Sequence, residues 1–116
     1  RRAVQELTSA GVQPVLMTLP PIDGQRYFQF ISQRADGGSI LRWLGDVGRI
    51  YRHQEMYSDA VATLAMTEGL PLIDVRRQFL PMRDLPRCIA ADGIHLTMAG
   101  YRCLFDTLAG WVRERL

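Results

Sequence analysis

A chain of 116 residues, 47% apolar and 22% charged, is sized and composed for one globular domain rather than for a disordered or fibrous protein. Its net charge of +2 sits on scattered arginines, which excludes nucleic acid as an expected partner. All 14 cationic side chains are Arg, so Schiff-base chemistry, a lysine general base and a Walker-type phosphate loop are excluded for want of an ammonium.

In chain order, Val4 to Ala10 reads as the end of a helix stopped by Gly11. The continuous apolar run Val15–Leu19 suits a strand covered on both faces, and Pro20-Pro21 ends its pairing. Residues 26–34 predict a helix broken at Asp36-Gly37-Gly38, with Ser39 as N-cap for a short helix through Leu44. A long helix is expected from about Asp46 to Glu68, stopped by Gly69. Leu72–Val75 is a second short strand after Pro71, and residues 79–91 are irregular. Thr97 caps a last helix running to about Leu116, with a buried stripe of Tyr101, Leu104, Phe105, Leu108 and Val112. Trp43, Trp111 and the tyrosines fall at helical spacings and are expected in the core.

Strand, long helical crossover, strand, loop and helix describe the end of a doubly wound α/β structure with two parallel strands. In such sheets a site forms beyond the carboxyl ends of the strands, here after Leu19 and Val75. Cys88 and Cys103 are too few for a zinc site; two free thiols are expected, a single bridge being the alternative. No metal or cofactor is expected, and no apolar run approaches the ~20 residues of a membrane span.

Asp92-Gly93-Ile94-His95 carries the most chemistry. Three residues apart on one loop, the Asp can hold Nδ1–H of the imidazole while Nε2 faces a nucleophile. The bland alternative is a turn whose Asp and His only lead into the helix begun by Thr97. Asp74, at a strand end, is the rival acid. His53 reads as a solvent-facing helical residue. The serines are Ser9, Ser32, Ser39 and Ser58. Gly38-Ser39 lacks the preceding strand that a nucleophile turn needs, and Ser58 sits inside a helix.

With Asp92-Gly93-Ile94-His95-Leu96-Thr97 followed by Gly100-Tyr101, the chain resembles the SGNH hydrolases, the GDSL-type esterases and lipases. Thr18-Leu19-Pro20-Pro21 and Tyr57–Val61 before Pro71–Val75 support the likeness. It implies a C-terminal part, residues 1–116, of a three-layer α/β/α flavodoxin-like domain, with His95 as general base and Asp92 as its orienter. The family's Gly-Asp-Ser nucleophile and its oxyanion Gly and Asn would lie upstream, and the start at Arg1-Arg2 without Met fits a piece of a longer protein. Substrates implied are small esters or O-acetylated sugars, and the compartment stays open between cytoplasmic and secreted.

By the same resemblance, a strand of the absent part flanks Val15–Leu19, so a homodimer or swapped oligomer joined near residues 14–20, or association with that part, is expected. A second reading stands beside this one: a non-catalytic α/β binding or assembly module in which Asp92 and His95 only shape a turn.

Overall fold

The computed structural model describes residues 1–115 and has two parallel strands and six helices, an α/β fold. Helix α1 (Arg2–Ser9) ends at Gly11, whose φ of 80° only glycine adopts without cost. Strand β1 (Leu16–Met17) pairs with β2 (Leu72–Ile73), Leu16 opposite Leu72 and Met17 opposite Ile73.

Both strands are shorter than the apolar runs that announce them, because side chains capture the next polar groups. The Leu19 N–H donates to Ser58 Oγ at 3.1 Å instead of to a strand. Asp74 leaves the sheet to cap a five-residue helix, α5 (Val75–Phe79), accepting from the Arg77 N–H. The strand expected through Val75 therefore becomes a strand of two residues and a helix.

Between the strands run α2 (Gly24–Ser32), α3 (Gly37–Leu44) and α4 (Gly48–Glu68). Helix α2 starts two residues before the expected Arg26, because the Asp23 carboxylate accepts from the Arg26 N–H at 3.1 Å. Asp36, not Ser39, caps α3: its carboxylate accepts from the Gly38 N–H at 3.0 Å and from the Ser39 hydroxyl at 2.7 Å. Helix α4 ends as expected at Gly69, φ 65°, and packs along β1.

After α5 a 3₁₀ turn (Leu85–Cys88) leads into an antiparallel bridge, Ile89 to Leu96, and then α6 (Met98–Arg115). The last helix was expected to reach Leu116, which lies outside the described residues.

The core is small. Val75 and Phe79 are fully enclosed with Cys88 and Ile73 beside them. Helix α6 covers this cluster with Cys103, Leu104, Leu108 and Trp111. Of the five residues of the expected stripe, Leu104 and Leu108 face in, whereas Tyr101, Phe105 and Val112 face solvent. Gly100 explains the rotation. It packs so closely on the Cys88 carbonyl and Leu96 that a Cβ would clash, which seats the helix on its Gly100–Cys103–Leu104 side. Trp43, Tyr57 and Tyr101 are exposed, against the expectation of a core role, while Trp111 packs on the core as expected. Cys88 and Cys103 are free thiols.

Candidate active site

Residues 90–95 form a loop closed on itself. The Ala90 N–H donates to the His95 carbonyl at 2.8 Å, and the Gly93 N–H to the Ala90 carbonyl at 3.0 Å. Within it Oδ1 of Asp92 accepts from the backbone N–H groups of Ile94 and His95, each at 3.0 Å. Oδ2 meets Nδ1 of His95 at 2.5 Å. The expected pairing of these two side chains is therefore present.

The protonation follows from the partners. The backbone N–H of His95, then its side chain and the Ile94 N–H, lower the Asp92 pKa to about 2. An ionised carboxylate only accepts, so the proton shared with the ring belongs to Nδ1. In the neutral imidazole Nε2 then carries the lone pair. Nε2 makes no hydrogen bond among the described residues, and the His95 side chain is 69% exposed. The arrangement can take a proton from a group brought to Nε2 and hold the resulting imidazolium against a fixed carboxylate.

Two residues that the sequence reading passed over hold this loop in place. Arg26 donates through Nη1 to the carbonyls of Pro86 at 3.1 Å and Ile89 at 2.7 Å, bracketing the approach to Asp92. The Asp23 N–H donates to the Gly93 carbonyl at 2.8 Å. Gly93, φ 82°, sits against the Asp23 carbonyl and the Tyr27 backbone with no room for a Cβ. Asp23-Gly-x-Arg26 signals a helix start in the sequence, but nothing local points its groups at a loop 60 residues away.

The rivals are occupied elsewhere. Asp74 Oδ1 accepts from Thr18 Oγ1 at 3.0 Å, and Thr18 Oγ1 accepts from the Arg76 N–H, so Asp74 ties the ends of β1 and β2 together. A hollow of about 400 Å³ there, lined by Thr18, Glu55, Asp74 and Arg76, includes neither Asp92 nor His95. The Ser39 hydroxyl lies between Asp36 and Arg42, Ser58 is buried against Leu19, and the Ser32 hydroxyl donates to the Phe28 carbonyl. Among the described residues no serine meets His95. Burial pushes the Cys88 and Cys103 thiols up, which keeps them protonated and poor nucleophiles. His53 is exposed as expected and packs edge-on to Tyr57. No cluster of three or more His, Cys, Asp or Glu residues capable of holding a metal occurs among the described residues. No helix among them is long and apolar enough to cross a membrane.

Neither a protein-family model nor a curated protein matches this sequence. Among solved structures, the crystal structure of a GDSL-like lipase from Bacteroides thetaiotaomicron is similar, with a TM-score of 0.65 at 12% sequence identity. The likeness covers 99% of this chain and 49% of that one, so the chain spans about half the length of the lipase. At that identity the likeness reaches the backbone path and stops short of the side chains. The chain has a GDSL-like α/β fold.

Proposed function

We propose that this chain supplies the acid–base element of a serine ester hydrolase, with His95 as general base and Asp92 as the residue that orients it. The observation that carries the reading is the 2.5 Å contact from Asp92 Oδ2 to His95 Nδ1 beside an open Nε2. In a polypeptide that also contains the nucleophile, Nε2 takes the serine proton as the oxygen attacks the ester carbonyl. It returns that proton to the leaving alcohol, while the Asp92 carboxylate stabilises the imidazolium between the two steps. The serine and the oxyanion donors come from outside the described residues.

The test is hydrolysis of p-nitrophenyl esters by such a polypeptide. His95→Ala should lower turnover roughly a thousandfold or more with little loss of stability, because an exposed ring supports chemistry rather than packing. Asp92→Asn should cost as much or less. Near-normal turnover in His95→Ala removes His95 from the base role. The 116-residue chain alone should be inactive for lack of a presented serine. That same lack favours the second reading, a non-catalytic binding or assembly module. A parent polypeptide that fails to react with a fluorophosphonate probe would select it.

A further inference from the structure

The Asp92–His95 pair stands on a loop whose hydrogen bonds are almost all internal, with Ile94 and His95 exposed. Among the described residues, one hydrogen bond enters residues 90–95 from elsewhere in the chain, from the Asp23 N–H to the Gly93 carbonyl at 2.8 Å. Arg26 grips the residue just before them, Nη1 donating to the Ile89 carbonyl at 2.7 Å. Both grips come from the start of α2, where the two residues lock each other. Asp23 Oδ1 accepts from the Arg26 N–H at 3.1 Å, and Oδ2 lies 3.4 Å from Arg26 Nε.

Each grip falls on a peptide group whose other end serves the pair. The Ile89 carbonyl and the Ala90 N–H belong to one peptide group, and that N–H donates to the His95 carbonyl at 2.8 Å. The Gly93 carbonyl and the Ile94 N–H share another, and that N–H donates to Asp92 Oδ1 at 3.0 Å. A trans peptide group is planar and stiff, with its C=O and N–H pointing opposite ways. A bond that fixes the oxygen therefore aims the N–H, and it also polarises the group so that the N–H donates more strongly. Arg26 brings a permanently charged donor to this relay, the stronger kind of partner for a carbonyl.

We propose that Arg26 is a positioning residue for the Asp92–His95 pair. Through the Ile89–Ala90 peptide it sets the backbone from which the imidazole projects, while the Asp23 N–H steadies the Asp92 carboxylate through the Gly93–Ile94 peptide. Its effect on the ring rests on these hydrogen bonds alone, and its consequence for turnover rests on the hydrolase reading. Without Arg26 the loop keeps its internal bonds but loses its aim, so that Oδ2 no longer holds the Nδ1 proton and the ring samples both tautomers.

Nitrogen NMR of the 116-residue chain tests the effect on the ring. The unaltered chain should show a proton fixed on His95 Nδ1 and scalar couplings across the Ala90–His95 and Asp23–Gly93 hydrogen bonds. Arg26→Ala should lose the Nδ1 proton signal and the Ala90–His95 coupling. Arg26→Lys, which keeps a charged donor, should recover part of both. Arg52→Ala, which breaks an exposed ion pair with Asp46, should leave them unchanged. In a polypeptide that also contains the nucleophile, Arg26→Ala should lower kcat on p-nitrophenyl acetate roughly ten- to a hundredfold with KM unchanged, the cost of a misplaced catalytic group. A folded Arg26→Ala chain that keeps the Nδ1 proton signal, or that raises KM alone, would overturn the proposal. If Arg26→Ala does not fold, Arg26→Lys and the unaltered chain decide: absence of the two couplings overturns it. Loss of the ring signal in Arg26→Ala together with normal turnover in His95→Ala would support the positioning and reject the base role, so the two readings fail separately.

Discussion

Asp92, the one carboxylate of residues 90–95, accepts from two backbone amides and one ring nitrogen, which fixes both of its oxygens. Its pKa of about 2 lies below the ~3.9 of a free aspartate. A folded-state value depressed in this way stabilises the loop above about pH 4, and the contribution is lost as pH falls through 2. The Asp92 carboxyl carbon should titrate near pH 2 by NMR, with the His95 ring loosening over the same range. A midpoint near 4 would mean that the carboxylate is not held as described. Gly93 is the second fixed point. A side chain there meets both the left-handed backbone and the packed Asp23 and Tyr27 main chain. Gly93→Ala should cost about 1–3 kcal/mol from backbone conformation alone, read from urea denaturation, and should displace the Asp92–His95 pair.

At the scale of elements, α6 decides how the last third of the chain packs. Its apolar residues are spread around the helix, and only Cys103, Leu104, Leu108 and Trp111 reach the Val75–Phe79 core. Phe79→Ala should therefore destabilise by about 3–5 kcal/mol, as removal of an enclosed aromatic ring does. Phe105→Ala, 68% exposed, should stay within about 0.5 kcal/mol. Equal losses in denaturant midpoint would contradict the rotation of α6 described here. Arg26 and Asp23 matter at this scale too, since they fasten the start of α2 to the loop that carries His95.

The whole molecule is more open than its length requires. Its radius of gyration is 16.6 Å, where about 13 Å is usual for a domain of this length. It exposes 8111 Å², about 1,700 Å² more than a compact monomer of its mass. A standard interface takes about 800 Å² from each partner, so the excess is about twice what one such interface removes from a chain. One edge of β1 pairs with β2, and the other pairs with no strand among the described residues. Val15 and Met66 are exposed, and Leu16 and Met17 are only partly covered. The chain at tens of micromolar should run as a dimer or larger oligomer in light scattering, joined near residues 14–20, unless a partner polypeptide covers that edge. A stable monomer with Val15–Leu19 exposed would defeat this expectation.

The Asp92–His95 pair was legible in the sequence because both partners and the amides that hold them lie within four residues. The same locality made the glycine stops at Gly11 and Gly69 and the start of α6 readable, whereas the parallel pairing of the two apolar runs followed from the long helical crossover between them. The cap of α3 was misread between neighbours: Asp36 and Ser39 can both cap, and the carboxylate is the stronger acceptor. What only the tertiary structure decided depends on groups far apart in the chain. The Arg26 clamp spans 60 and 63 residues, and the Thr18–Asp74 tie spans 56. Periodicity could not choose a buried face for α6, because its apolar groups occupy more than one face and the close seat of Gly100 on the Cys88 carbonyl selects among them. The exposure of Trp43 and the cleft it lines arise where α2, α3, α4 and the Asp92–His95 loop converge, which no stretch of sequence contains.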